Sequence, residues 1–143
     1  MEDNPADVRL MEEAFQTARY PVRWNVARDG EEALAACRAM AFDGRARPAL
    51  ILLDLSLPKK SGFEVLAWIK AEPALLHVPV LIISTSTRAE DVEKAYALHA
   101  NSYIQKPLSL EALISVASMI GGFWLETALL MPQPLPQGGQ KIS

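Results

Sequence analysis

The sequence places side chains that can handle metal ions or phosphate groups at the ends of its predicted strands. An aspartate, a serine–threonine pair and a lysine each come directly after a run rich in apolar residues, and an acidic pair comes directly before the first helix. These residues are Glu2, Asp3, Asp54, Ser84, Thr85 and Lys106. The carboxyl ends of parallel strands meet at one edge of a sheet. We therefore expect three carboxylates, a hydroxyl group and an ammonium group to lie together there.

Their charges indicate the chemistry of this edge. Carboxylates about 4 Å apart repel each other by about 4 kcal/mol at an effective dielectric constant of about 20, and Mg²⁺ is a hard cation that relieves this repulsion. An aspartate such as Asp54 can attack phosphorus and form an acyl phosphate. Lys106 would offset the added charge, and the Ser84 hydroxyl and the Thr85 N–H could donate hydrogen bonds to it. The set predicts a phosphoryl acceptor that uses Mg²⁺.

Each of these residues also has an ordinary structural interpretation when it is taken alone. Glu2 and Asp3 could simply favour the N-terminus of a helix. Asp54 could be a loop acid, Ser84 a turn residue and Lys106 a solvated surface lysine. The coincidence of all four classes at the ends of consecutive elements favours a functional site.

Helical and apolar patterns alternate along the chain and predict the elements that position these side chains. Helices are predicted at 5–19, 31–40, 62–71, 88–99 and from 109 onward, and strands at 22–26, 49–53, 79–83 and 102–105. The runs at 49–53 and 79–83 are apolar without alternation, which is typical of strands covered by helices on both faces. The order predicts an α/β fold with a parallel sheet.

Composition limits the functional classes. The 143 residues suit one domain, and 17 acidic against 14 basic residues give a net charge of −3, which disfavours a nucleic-acid binder. The single cysteine, Cys37, excludes an internal disulfide. The chain has no apolar run of about 20 residues for a membrane span, and its acidic N-terminus does not look like a signal peptide. We expect a reduced, soluble protein of the cytoplasm.

The motifs at these strand ends resemble the receiver domain of bacterial response regulators. The resemblance covers about residues 1 to 120 and rests on the segments 2–4, 54–58 with Gly62, 84–85 and 106–107. It implies a flavodoxin-like doubly wound sheet with strand order 2-1-3-4-5 and five helices. It also implies a signalling protein that accepts phosphate from a histidine kinase with Mg²⁺, with at most self-phosphorylation and autodephosphorylation as activities.

The resemblance assigns a role to each candidate residue. The carboxylates and one main-chain carbonyl are implied to bind the metal ion, and the side chains at the strand ends are implied to contact the phosphoryl group. The implied roles are Glu2, Asp3, Asp54 and the Ser56 carbonyl as metal ligands, Asp54 as phosphoacceptor, Ser84 and Tyr103 as switch residues, and Ser84, Thr85 and Lys106 as phosphate contacts.

Two segments, 95–103 and 123–127, resemble more narrowly the small stand-alone receivers that work with bacterial phytochromes. This implies a phytochrome kinase as partner and a homodimer through the face formed by the fourth helix, the fifth strand and the fifth helix. Phe123, Trp124 and Leu125 would add apolar area near that face, with Trp124 as an anchor. The alternative is that these three residues are the buried last turn of the final helix.

One feature departs from the family pattern, because only Met1 precedes the acidic pair where members have an apolar first strand in the middle of the sheet. We therefore expect an empty central position in the sheet and about five further apolar residues upstream in the working protein. The predicted division is a receiver domain at 1–120 without most of its first strand, an arm or helix extension at 121–131, and a disordered tail at 132–143.

Two other functions compete with signalling by phosphorylation. Phosphatases that use a strand-end aspartate normally carry a second aspartate two residues later as general acid, but position 56 is serine. A pseudo-receiver that acts only as a structural dimerisation module would explain the missing strand. Against it, every phosphate-handling side chain is present.

Overall fold

A computed structural model of the chain describes residues 1–20, 22–42, 48–57 and 61–127. Two consecutive helices come first, and strands and helices alternate after them. The helices are α1 (Pro5–Thr17), α2 (Gly30–Phe42), α3 (Gly62–Ala71), α4 (Ala89–Ala97) and α5 (Leu110–Ile120), and the strands are β1 (Ile51–Leu53), β2 (Val80–Ser84) and β3 (Ser102–Gln105). The predicted bounds of α3 and β3 are confirmed, and those of the other elements in this list differ by one or two residues.

Four helices begin at polar side chains that the sequence places just before them. Asn4, Asp29, Ser61 and Ser109 precede α1, α2, α3 and α5, and their side-chain oxygens accept backbone N–H hydrogen bonds at 2.9, 2.8, 3.3 and 3.1 Å. These bonds satisfy N–H groups that have no partner inside a helix. The helix starts are therefore fixed locally.

The three strands form a parallel sheet in the order β1-β2-β3. All residues of β1 and β2 are buried, because apolar clusters cover both faces of the sheet. Alternate strand residues pack with α2 and α3 on one face and with α1 and α5 on the other. The doubly covered parallel sheet predicted from the apolar runs is confirmed.

The strand predicted at 22–26 does not form, and within it only Arg23 makes an isolated β-bridge. The physical reason is that a strand needs a neighbour along its whole length. Here the segment beside residues 22–27 consists of Met1 and Glu2. Its contact with them includes a hydrogen bond of 2.9 Å from the Glu2 N–H to the Ala27 carbonyl. The irregular segment is instead held by packing, since Trp24 meets the ring of Phe15 edge-on at 5.2 Å.

Met1 pairs with β1 as a single residue of a parallel strand would. Its ammonium group donates to the Leu52 carbonyl at 2.9 Å, and its carbonyl accepts from the Asp54 N–H at 3.2 Å. Burial lowers the pKa of this ammonium group to about 6. The acidic pair that follows is thus directed toward the carboxyl end of β1.

Two clefts open on either side of Met1, one against each face of the sheet. The cleft on the α1 side encloses about 460 Å³ including space open to solvent and is lined partly by Val8, Met11 and Trp24. The cleft on the α2 side encloses about 360 Å³ and reaches Met40. Among the described residues no strand lies between segment 22–27 and β1, so the expected gap at the centre of the sheet is confirmed. We call this gap, with its two clefts, the central slot.

The last helix continues beyond α5 as a π-helical segment, Gly121–Thr127. α5 ends at Ile120, and Gly121 follows it with helical backbone angles. A side chain at Gly121 would meet the ring of Tyr20 at 2.3 Å, so glycine permits this close approach. Tyr20 also donates a hydrogen bond of 2.6 Å to the carboxylate of Glu126.

The described part of the predicted arm at 121–131 is therefore helical and contacts Tyr20 in the turn that follows α1. The tail predicted at 132–143 lies outside the described residues. Of the helices that the structure describes, none combines the length and apolar character needed to cross a bilayer.

Candidate functional site

Asp54 follows β1 directly and lies at the centre of the polar cluster. Its residue surface is only 7% exposed, yet both carboxylate oxygens have donors. The Ser56 N–H donates to Oδ1 at 2.8 Å, and the Lys106 ammonium group donates to Oδ2 at 2.8 Å. These two hydrogen bonds fix the plane of the carboxylate at the carboxyl edge of the sheet.

Lys106 follows β3 and joins three carboxylates. Its Nζ lies 2.7 Å from Oε2 of Glu2, 2.8 Å from Oδ2 of Asp54 and 3.3 Å from Oδ2 of Asp7. Its backbone N–H donates to the Ser84 carbonyl at 2.7 Å, which continues the β2–β3 pairing to this position. Burial would lower the pKa of Lys106, but Asp54 and Glu2 outweigh it and raise that pKa. The lysine is firmly charged.

Glu2, Asp3 and Asp54 lie close enough together to hold one metal ion. One oxygen from each carboxylate lies within 4.8 Å of the others. Hard oxygen donors at this spacing suit a small divalent cation such as Mg²⁺ or Mn²⁺. The residues present therefore fit the ion that the sequence predicts.

The paired carboxylates Glu2 and Asp54 differ in their affinity for protons. Burial raises the pKa of Glu2 to about 7, although the hydrogen bond from Lys106 acts in the opposite direction. Burial would also raise the pKa of Asp54, but hydrogen bonds from Lys106 and Ser56 outweigh it and hold that pKa below its usual value. At neutral pH, Asp54 is thus ionised, as a nucleophile must be.

Ser84 and Thr85 lie at the end of β2. Ser84 is 1% exposed, and its Oγ accepts a hydrogen bond of 3.1 Å from the Ser86 N–H. Thr85 follows and is exposed. Since β2 pairs with β1 in parallel, these residues share the sheet edge with Asp54.

A glycine gives the Asp54 loop its close contact with α3. A side chain at Gly62 would meet the Asp54 carbonyl oxygen and the Leu55 Cα at 2.5 Å each. The Gly62 N–H also donates to the Leu55 carbonyl at 3.1 Å. The first residue of α3 thus packs directly on the backbone of the candidate acceptor.

Tyr103 lies in β3, half-buried, and contacts the loop that follows β2. Its hydroxyl donates to the Ser86 carbonyl at 2.9 Å, and its N–H donates to the hydroxyl of Tyr96 in α4 at 3.1 Å. The candidate switch aromatic is thus linked to the strand end that carries Ser84.

Two groups at this site were not predicted from the sequence. Asp7 contacts Lys106, and the available signal was its position in the first turn of the helix that directly follows the acidic pair. The carbonyl of Met1, which accepts from Asp54, had no side-chain signal at all.

Known proteins share this arrangement of elements. Residues 1–118 match the family model of the response regulator receiver domain. Response regulator Rcp1 from Synechocystis sp. is 42% identical over 131 residues, which cover 91% of this chain and 89% of Rcp1. FilR2, a probable methanogenesis regulatory protein from Methanothrix harundinacea, is 42% identical over 125 residues, covering 87% of this chain and 81% of FilR2.

Solved structures give the same result. The phosphorylated cyanobacterial phytochrome response regulator RcpA superposes with a TM-score of 0.84 at 45% identity, covering 92% of this chain and 95% of that chain. The Mn²⁺-bound form of Rcp1 superposes with a TM-score of 0.82 at 41% identity, covering 92% and 96%. The similarity therefore extends over nearly the whole of these relatives.

Proposed function

Because the chain belongs to the response regulator receiver family, we propose that Asp54 accepts a phosphoryl group from a histidine kinase. The environment of the Asp54 carboxylate supports this proposal most strongly. Asp54 is buried, and hydrogen bonds to its two oxygens from Lys106 and from the Ser56 N–H keep its pKa below the usual value. Two further carboxylates lie within metal-binding distance.

The transfer step follows from these contacts. A carboxylate oxygen of Asp54 attacks the phosphorus of a phosphohistidine, so that an O–P bond forms and the N–P bond breaks. The electron pair of the broken bond returns to the imidazole nitrogen, which takes up a proton. Lys106, the Ser84 hydroxyl and the Thr85 N–H donate to the phosphoryl oxygens and stabilise their charge.

The cation that we propose is Mg²⁺, held by Glu2, Asp3, Asp54 and the carbonyl of Ser56. When bound, it offsets the negative charge that gathers around the transferred phosphoryl group. Lys106 carries out part of this neutralisation from the protein side, because its ammonium group already bridges Glu2 and Asp54.

The partner that we propose is a cytoplasmic histidine kinase of the phytochrome type. Its support is the similarity to Rcp1 and to the phytochrome response regulator RcpA. The output we propose is a homodimer through the face of α4, β3 and α5, on and beside which exposed apolar residues lie: Tyr96, Leu108, Leu110, Met119 and Phe123. Trp124 packs partly into the protein's own core, so Phe123 is the better placed anchor.

Phosphorylation of the purified chain by acetyl phosphate tests the proposal. We expect an acid-stable, base-labile adduct that forms with Mg²⁺ and does not form in the presence of EDTA. Asp54→Asn should abolish the adduct. Asp7→Asn is the matched control, since it also removes a carboxylate beside Lys106 but leaves the acceptor in place. Undiminished labelling of Asp54→Asn would show that another residue is the acceptor.

A further inference from the structure

Ser86, in the loop between β2 and α4, contacts three parts of the molecule. Its N–H donates to Oγ of Ser84 at 3.1 Å, and its carbonyl accepts from the Tyr103 hydroxyl at 2.9 Å. Its own hydroxyl donates to Oδ2 of Asp91 at 2.6 Å and accepts from the Arg88 N–H at 3.3 Å. One residue thus joins the strand-end hydroxyl, the β3 aromatic and the first turn of α4.

The bond to Ser84 determines where that hydroxyl can direct its hydrogen. A serine hydroxyl has one hydrogen and two lone pairs. Because a lone pair accepts from Ser86, the hydrogen is left for an acceptor elsewhere, such as a phosphoryl oxygen on Asp54. Any displacement of the Ser84 oxygen toward Asp54 then either moves Ser86 with it or breaks the 3.1 Å bond.

The bond to Asp91 determines what moves with Ser86. A hydroxyl–carboxylate hydrogen bond is assisted by charge and is about twice as strong as a neutral one, and this one is partly buried. Asp91 lies in the first turn of α4. The loop and the start of α4 are therefore joined by a side-chain bond as well as by the backbone.

We propose that Ser86 is a positioning residue, whose hydrogen bond to Asp91 makes α4 follow the phosphorylation state of Asp54. This rests on the proposed function. Phosphorylation draws the Ser84 hydroxyl toward Asp54, Ser86 follows its acceptor, and Asp91 carries the displacement into α4. Tyr103 follows through its bond to the Ser86 carbonyl. We call the bond between the side chains of Ser86 and Asp91 the tether.

A purely structural role for Ser86 makes a different prediction. If its hydroxyl only stabilises the turn before α4, its removal lowers stability and leaves the response of α4 to the site unchanged. A spectrum recorded with the site occupied therefore distinguishes the two roles, whereas a melting temperature does not.

The experiment uses amide NMR spectra of the full chain before and after addition of Mg²⁺ and beryllofluoride, which imitates a phosphoryl group. The signal of Leu55 reports occupancy beside Asp54, and that of Val92 reports α4. Ser86→Ala and Asp91→Ala break the tether. Ser86→Thr and Asp91→Asn are matched controls, since each retains the hydroxyl or an acceptor oxygen.

We expect the change in the Leu55 amide chemical shift on ligand addition to be as large in all four variants as in the wild type. The corresponding change in the Val92 amide chemical shift should be smaller by about half or more in Ser86→Ala and Asp91→Ala, because the ligand then biases the position of α4 less. It should be retained in the two controls. A full Val92 shift in Ser86→Ala, or an equal loss in Asp91→Ala and Asp91→Asn, would overturn the tether. No Leu55 shift in the wild type would instead overturn the proposed function.

Discussion

The ammonium nitrogen of Lys106 lies 2.8 Å from Oδ2 of Asp54, although 52 residues separate them in the sequence. Both side chains are largely shielded from water, so their attraction is screened less by solvent and salt than that of a surface pair. The same nitrogen contacts Glu2 at 2.7 Å. Lys106 thus holds the acceptor carboxylate and one candidate metal ligand together.

Replacing Lys106 tests this relationship. Lys106→Ala should slow phosphorylation by acetyl phosphate roughly 10- to 100-fold, because a hydrogen bond to a charged group contributes about 1.5–3 kcal/mol. Lys106→Arg retains the charge and should lose less. Initial rates of adduct formation measure the effect, and an unchanged rate in Lys106→Ala would contradict it.

The proposed dimer face is tested at its exposed end. Phe123 is 52% exposed and stacks edge-on against Trp124 at 5.1 Å. Phe123→Ala should weaken self-association roughly tenfold or more if the ring is buried between two copies. Trp124→Ala, at a partly self-buried ring, is the comparison. Sedimentation velocity of the phosphorylated protein measures both, and a monomeric wild type would exclude this output.

The site residues that could be predicted are those whose signal is local. Asp54, Ser84 and Lys106 each follow a strand, and parallel pairing brings their ends together. Segment 22–26 was predicted as a strand and is irregular, because strand formation depends on a neighbour that its own pattern does not show. The close contact at Gly121 could not be predicted either, because it depends on Tyr20, which lies far away along the chain.

Filling the central slot should stabilise the fold. A chain with about four added apolar residues before Met1 would bury about 100 Å² each, or up to about 10 kcal/mol in total at about 25 cal/mol per Å². An extension of equal length made of glycine and serine is the matched control. The melting temperature should rise with the apolar extension alone, and equal melting temperatures for the two chains would contradict this account of the slot.

Cys37 provides a pH-dependent prediction that is independent of the site. Burial raises the pKa of its thiol to about 11, whereas an exposed thiol ionises near about 8.5. Between these values the unfolded chain holds fewer protons than the folded chain. Stability should therefore fall as the pH rises, by about 1.4 kcal/mol per pH unit from this group.

The corresponding measurement is urea unfolding of the wild type and of Cys37→Ala at several pH values above 8. The variant loses packing at every pH, but its stability should decline less steeply because the titrating thiol is gone. Parallel declines in the two proteins would show that this thiol does not contribute.

The chemical fate of Asp54 after phosphorylation shows directly whether it is the phosphoacceptor. Borohydride reduces an aspartyl phosphate to homoserine, so peptide mass spectrometry of the phosphorylated and reduced protein identifies the acceptor. We predict homoserine at position 54 in the wild type, dependent on Mg²⁺ and absent from Asp54→Asn. Homoserine in place of any other aspartate, with residue 54 unchanged, would show that Asp54 is not the acceptor.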